Sequence, residues 1–264
     1  MNAPIGVIDS GVGGLTVAKA IMELLPNEEI IYIGDTARCP YGPRQNKEVR
    51  NFTWQMAQKL EKLNVKMLVI ACNTATAVAL DSLQKHMPFP VLGVINAGAR
   101  AATKKTKRSE IVVLATEGTV KSGAYEMALK SLSTKAKIYP LACPTFVPLV
   151  ESGEYEGAFS YELVKEGLKE LDGKRFDTVI LGCTHYPILQ KQIESAVGPG
   201  VNVLSSAEET AKDVEAILHF NNQLRVEDRA PKHKFFASGS VPIFRSIAER
   251  WLQLENIKVE RVTF

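Results

Sequence analysis

The chain has 264 residues, 45% of them hydrophobic and 23% charged, with a formal net charge of +3. Those fractions are ordinary for a globular protein of one large domain or two small ones. The charge is too small to argue for a nucleic-acid partner, and the basic cluster Lys104-Lys105-Thr106-Lys107-Arg108 is short enough to be a solvated loop.

No apolar run approaches the roughly 18 residues of a membrane span. Residues 1–4 lead straight into a strand pattern, so no signal peptide is expected. Cysteines stand at 39, 72, 143 and 183 and form no CxxC pair, which weakens a zinc or thioredoxin reading. A cytoplasmic location would keep them reduced.

Residues 4–8 form a short apolar strand pattern, followed by Asp9-Ser10-Gly11-Val12-Gly13-Gly14 and a helix pattern over 15–25. Strand, glycine-rich turn and helix is an arrangement that holds anionic groups. The spacing is not GxGxxG and no P-loop lysine follows, so a nucleotide reading is poor. Asp9 can equally be a helix cap. A second strand, 29–34, leads into Asp35-Thr36-Ala37-Arg38-Cys39-Pro40-Tyr41-Gly42-Pro43, whose prolines and glycines stiffen the backbone as a site loop requires. Residues 48–63 read as an amphipathic helix.

The third strand, 67–70, exits at Ala71-Cys72 into Asn73, Thr74 and Thr76, with a helix over about 75–86. A cysteine just past the carboxyl end of an apolar strand sits where α/β sheets place their chemistry. Pro88-Phe89-Pro90 breaks the pattern. A fourth strand spans 91–95, then a helix-like 96–102 and a polar stretch over 103–110.

The pattern then restarts. A strand at 111–115 precedes Thr116-Glu117-Gly118-Thr119 and a helix from Ser122. A strand at 137–142 precedes Cys143-Pro144-Thr145, and a loop carries Val150-Glu151-Ser152-Gly153. A helix covers 158–171. The strand Val179-Ile180-Leu181 exits at Gly182-Cys183 into Thr184-His185, and 201–204 is the last strand of this half.

The two halves echo each other. Ile5 and Ile111 are 106 residues apart, Tyr32 and Tyr139 are 107 apart, Cys39-Pro40 and Cys143-Pro144 are 104 apart, and Cys72 and Cys183 are 111 apart. Four landmarks in one order at near-constant offset point to an internal duplication. The expected fold is α/β: two pseudo-symmetric, doubly wound parallel-sheet lobes with the active site in the cleft between them. The first lobe comprises 1–97 plus 207–264, and the second 98–206. The tail contributes a helix over 208–220, a strand at 234–238, a helix over 241–254 and an edge strand at 259–264.

Facing lobes put Cys72 and Cys183 on opposite walls of one cleft. A thiol and a thiolate there can remove a proton from one face of a carbon and return it on the other. Such a thiolate needs a lowered pKa, which helix N-termini and nearby cations supply, and each sulfur must reach the proton it moves. Cys39 and Cys143, each followed by proline, read as loop packing.

IDSGVGGLTV, GDTARCPYG, ACNTAT, VESG and GCTHYP together resemble the glutamate racemases, the cofactor-independent enzymes that supply D-glutamate for peptidoglycan. The resemblance spans nearly the whole chain. It implies Cys72 and Cys183 as the paired acid and base, with no cofactor and no metal. It implies Asp9 and Ser10 at the substrate amino group, and Tyr41, Gly42, Asn73, Thr74, Thr184 and His185 as residues that hold the substrate. Asp35, Glu151 and His185 resemble polar residues near the thiols. Taken singly, His185 can be a structural histidine, Glu151 a cap partner and Asp35 a tie within its loop. The family often has Pro-Gly after the fourth strand, whereas this chain has Asn96-Ala97-Gly98, which bears on the geometry between lobes. Many members are homodimers.

Three other readings share the scaffold. One is an aspartate racemase or a related amino-acid or hydantoin isomerase. Another is a two-lobed protein that binds a carboxylated ligand without turnover. The third is a redox protein with a Cys72–Cys183 disulfide.

Overall fold

The computed structural model describes residues 2–226 and 230–264; Met1 and 227–229 lie outside them. The first half runs β1 (Ile5–Asp9), α1 (Leu15–Leu24), β2 (Ile30–Gly34), α2 (Asn46–Lys62), β3 (Met67–Ile70), α3 (Asn73–His86) and β4 (Val91–Gly93). Helix α4 (Val94–Lys105) leads to the second half. That half holds β5 (Glu110–Ala115), α5 (Glu117–Ser122), α6 (Ala124–Leu132), β6 (Lys137–Ala142), α7 (Phe146–Ser152), α8 (Gly157–Gly167), β7 (Thr178–Gly182), α9 (Gln190–Val197) and β8 (Asn202–Ser205). The tail is α10 (Ala207–Phe220), β9 (Lys234–Ala237), α11 (Val241–Leu252) and β10 (Val259–Arg261).

These strands build two parallel sheets, ordered β10-β9-β2-β1-β3-β4 and β6-β5-β7-β8. The second order repeats β2-β1-β3-β4 of the first, strand for strand. The register repeats too. Ile5 pairs with Ile30 and Met67, and Ile111 with Ile138 and Thr178. The duplicated doubly wound α/β fold expected from the sequence is therefore present. In each sheet the chain reverses direction about its first strand, so the crevice beyond the strand ends lies between β1 and β3, and between β5 and β7. Asp9 and Cys72 flank the first crevice. Thr116 and Cys183 flank the second.

Each sheet is covered on both faces, as parallel sheets require. Alternation along a strand sends successive side chains to opposite cores. Ile5 and Val7 of β1 join α1, α10 and α11 on one face, while Ile8 faces α2 and α3 on the other. In β5, Val112 and Leu114 pack toward α7, α8 and α9, whereas Ile111, Val113 and Ala115 pack toward α4 and α6. Helix α4 divides its face between halves: Val94 belongs to the first core, and Ile95, Ala99 and Ala102 belong to the second. Residues 97 and 98 fall inside this helix. The tail strands extend the first sheet through β9 on β2, with β10 at the edge.

Several elements differ from the sequence reading. The apolar run 91–95 is strand only to Gly93, because a short apolar run carries no period that separates strand from helix. The helix expected from Ser122 begins at Ala124, and a separate short helix precedes it over Glu117–Ser122. They meet at Gly123, whose φ of 65° ends the first in the left-handed conformation that glycine adopts without penalty. The helix over 158–171 stops at Gly167, and a separate 3₁₀ turn follows at Lys169–Leu171. VESG is not loop: Glu151 and Ser152 form the end of α7, which closes at Gly153 with φ 82°. Among the described residues no helix is long and apolar enough to cross a membrane.

Candidate active site

Four strand ends deliver the site. At the end of β1, the buried Asp9 carboxylate accepts the Gly11 N–H at 3.0 Å and the Thr184 hydroxyl at 3.3 Å. Burial raises its pKa, against the opposing pull of the His185 charge and the Gly14 and Gly11 amides. Asp9 is not the N-cap of α1; Gly14 occupies that position. The glycine packs so closely that an added Cβ would stand 2.5 Å from Asp9 Cβ.

Cys72 leaves β3 as the N-cap of α3, and its Sγ accepts the Ala75 N–H at 3.5 Å. That placement was expected to lower the thiol pKa. The reverse holds: burial pushes it up to about 12, the Asp9 charge adds to the rise, and the Ala75 amide and Ser10 hydroxyl only partly oppose it. One weak amide contact does not offset the loss of water around a sulfur that is 5% exposed.

Cys183 leaves β7 on the opposite wall, with its Sγ 3.9 Å from His185 Nδ1. The other ring nitrogen lies 3.1 Å from Glu151 Oε1. Burial disfavours an imidazolium here, but the Cys183 and Glu151 hydrogen bonds prevail and push the His185 pKa up to about 10. The same His185 bond holds Glu151 below the usual carboxylate range, against its partial burial. Each of the two partners thus favours the charged form of the other.

Cys72, Cys183, Ser10, Thr74, Thr184 and His185 line one nearly closed cavity with about 10 Å³ of free space, room for about one water molecule. Tyr41, Gly42 and Asn73 line it as well. Asn73 Oδ1 accepts the Tyr125 hydroxyl at 2.8 Å, which leaves the buried Nδ2 without a protein partner. It is a donor available to an anionic ligand group. The Thr74, Thr116 and Thr119 hydroxyls form a triangle with sides of 2.9 to 3.1 Å. Gly42 O accepts the Gly118 N–H at 3.0 Å. These contacts, with Thr184–Asp9, form a polar seam between the sheets. Asn96-Ala97-Gly98 reaches the seam only indirectly: an added Cβ on Gly98 would stand 3.0 Å from Tyr125 Oη.

Asp35 does not line the cavity. Its fully buried carboxylate accepts Arg38 Nε at 2.6 Å, Ser238 Oγ at 2.7 Å and the Tyr41 hydroxyl. It ties its own loop to the tail and so fixes Tyr41 and Gly42.

Sequence reasoning missed four lining residues, of which Pro40 and Val147 add only apolar surface. Thr116 stands 106 positions after Ser10, so the repeat itself points to it. Cys39, read as loop packing, lines the cavity, and its thiol donates to Glu151 Oε1 at 3.2 Å. Its partner is 112 residues away, and no local signal marks such a pair. Cys143 is buried packing beneath Tyr186, whose hydroxyl donates to the Cys143 carbonyl. All four cysteines are free thiols, so Cys72 and Cys183 are not joined.

Residues 5–214 match the Asp/Glu/Hydantoin racemase family. The chain is 74% identical over 263 residues to a glutamate racemase of Lysinibacillus sphaericus (strain C3-41), covering 100% of this chain and 99% of that one. A solved glutamate racemase isoform from Bacillus anthracis superposes with a TM-score of 0.96 at 48% identity, over 99% of this chain and 98% of its own. A glutamate racemase from Francisella tularensis, solved in complex with D-glutamate, gives 0.92 at 35% identity, again over 99% and 98%.

Proposed function

Because the chain belongs to the Asp/Glu/Hydantoin racemase family, we propose that it interconverts L- and D-glutamate by passing the α-proton between Cys72 and Cys183. The product use would be D-glutamate for peptidoglycan. One observation carries the two-thiol mechanism: equivalent strand exits of duplicated sheets place both cysteines on one cavity. The names of the relatives support glutamate as the substrate.

The two walls give their sulfurs different neighbours. Cys72, with a pKa near 12, holds its proton at neutral pH. The substrate ammonium, docked beside Asp9 and Ser10, supplies the cation that wall lacks and makes the thiolate accessible. On the other wall, His185 is the cation beside Cys183. In this reading Asn73 Nδ2, which has no protein partner, and the Thr74 and Thr184 hydroxyls, which line the cavity, hold the carboxylates. An amino-acid α-proton is far less acidic than a thiol. The barrier must therefore fall through fixed donors and near-attack placement, terms worth several kcal/mol each in a dry site. Asp35 acts through the Tyr41 loop and Glu151 through His185, both as positioning residues.

This reading takes residues 1–97 with 207–264 as one lobe, 98–206 as the other, and the cytoplasm as the location. It takes a homodimer as the assembly, which the mass in solution tests. The decisive assay incubates the protein with L-glutamate in deuterated water without added cofactor. D-glutamate carrying α-deuterium is expected, and neither product nor exchange in Cys72→Ala or Cys183→Ala. Turnover of aspartate alone would move the substrate. No exchange with any amino acid would leave a ligand-binding protein.

A further inference from the structure

We infer that Cys39, Glu151 and His185 form a binding site for a thiophilic divalent cation such as Zn²⁺, set between the two halves beside the cavity, and that occupancy holds the cavity closed. The cation's effect on turnover rests on the reading above; its binding does not.

The three donor atoms, Cys39 Sγ, Glu151 Oε1 and His185 Nε2, all lie within 4.8 Å of one another. Two of the three edges are 3.2 Å (sulfur to Oε1) and 3.1 Å (Nε2 to Oε1). Zinc bonds of about 2.3 Å to sulfur and about 2.0–2.2 Å to nitrogen and oxygen, at tetrahedral angles, need edges of roughly 3.3–3.6 Å. Shifts of a few tenths of an ångström on the two measured edges therefore suffice. One sulfur, one imidazole and one carboxylate make a borderline-soft set, which selects zinc over magnesium or calcium.

Room and access are also present. Gly11 faces the same donors: an added Cβ would stand 3.0 Å from Cys39 Sγ and 3.5 Å from Glu151 Oε1. The Glu151 side chain is 39% exposed, so an ion reaches the cluster from solvent. The spacing in sequence gave no sign of this site, because its ligands come from the loop after β2, the end of α7 and the turn after β7.

Binding is balanced without any oxidant. Zn²⁺ forms bonds to the Cys39 sulfur, Glu151 Oε1 and His185 Nε2. The Cys39 sulfur and the Nε2 release to solvent the protons they hold, and no bond of the chain breaks. Two consequences follow. Cys39 belongs to the first half and Glu151 and His185 to the second, so the metal clamps the halves together. His185 also becomes a metal ligand and is withdrawn as the cation beside Cys183.

The test uses full-length protein stripped with a chelator. In the Cys72→Ser/Cys183→Ser variant, which removes the other two cavity sulfurs, equilibrium dialysis against Zn²⁺ is expected to give one bound equivalent. Adding Cys39→Ala or Glu151→Gln should weaken it about tenfold or more, since even outer-shell partners of a metal contribute that much. Circular dichroism melts confirm that each variant is folded. With the unaltered thiols, Zn²⁺ should lower racemisation at least tenfold while equal Mg²⁺ has no effect, and Cys39→Ala should escape inhibition relative to its own metal-free rate. No bound equivalent in the double variant would overturn the site, as would unchanged affinity in Cys39→Ala or inhibition that persists there. If the protein shows no racemisation at all, the dialysis result still decides the site by itself.

Discussion

Gly13→Ala isolates what the seam between the sheets does for the chemistry. Its added Cβ would lie 2.4 Å from Thr184 Oγ1, 2.6 Å from His185 Nδ1 and 2.9 Å from His185 Cε1. Ordinary contact begins at 3.4 Å, so Thr184 and His185 must retreat by about 0.8–1 Å. Neither is free to do so alone: His185 is tied to Glu151, and the Thr184 hydroxyl to Asp9. Gly13 has no positive φ, so backbone strain is absent and the perturbation is purely spatial. Overpacking costs about 1–3 kcal/mol, offset by about 0.4–1 kcal/mol from a less flexible unfolded chain. The melting temperature should therefore fall by less than about 10 °C for a chain of this size. A misplacement near 1 Å at the reacting groups should lower kcat/KM by about 10²-fold. Coupled racemisation kinetics and thermal melts on one preparation separate the two effects. Gly173→Ala is the control. It has φ 74° and nothing near its Cβ, so it should lose about 1 kcal/mol or more and keep its rate. A folded Gly13→Ala enzyme within about threefold of the parent kcat/KM would refute the claim that the seam sets the placement of His185.

The remaining predictions concern charge. His185 is pushed up to about 10 in the folded chain from the 6.5 of a free imidazole. Its raised pKa stabilises the fold fully below pH 6.5, and that stability drains away as pH rises toward 10. Urea midpoints of the parent should fall relative to His185→Gln across that window; parallel curves would remove His185 as their cause. Asp35→Ala strands Arg38 and the Tyr41 hydroxyl, so it should cost about 3–5 kcal/mol, with KM raised more than kcat is lowered. A variant with unchanged KM would detach the Tyr41 loop from substrate binding. Glu28→Ala breaks a buried pair with Lys66 (2.6 Å) far from the cavity, and should cost a similar amount with no change in rate per folded molecule, measured by chemical melts and active-site titration.

The fold was legible because a parallel sheet writes itself locally. Most strands of the two halves are short apolar runs with a glycine, cysteine or aspartate at the exit, and the duplication repeats the signal. Cys72 and Cys183 were found that way. Cys39 was not placed, and Asp35 only as a tie within its own loop, which Arg38 and Tyr41 bear out, since the rest of their meaning depends on partners far along the chain: Glu151 for one, Ser238 for the other. No periodicity encodes such pairs. The direction of the Cys72 pKa was misjudged for a related reason. A helix N-terminus is visible in sequence, but the burial that outweighs it is a property of both halves together. Gly13 reads as a turn residue and Gly42 as a substrate contact, whereas the missing side chains of Gly13, Gly42 and Gly118 permit close approach between the halves.

Duplication put the two sulfurs in equivalent positions, yet their surroundings have diverged. Cys72 caps a 14-residue helix beside Ser10 and Asp9, with no cationic side chain among the causes of its pKa shift. Cys183 precedes a short 3₁₀ turn and has the His185–Glu151 pair beside it. In the proposed reaction this asymmetry has a strict limit. Enantiomers have equal free energy in water, so kcat/KM must be the same in both directions whatever the walls look like. Unequal walls can therefore appear only in how each direction divides that ratio, with the wall that favours the ground state lowering kcat and KM together. Ser10→Ala and Glu151→Gln act on opposite walls. They should shift kcat and KM for L- and D-glutamate by different amounts while the two kcat/KM values stay equal within each variant. A variant whose two ratios diverge would mean that the enantiomers are not the only species interconverting, and the two-thiol exchange could not be the whole reaction.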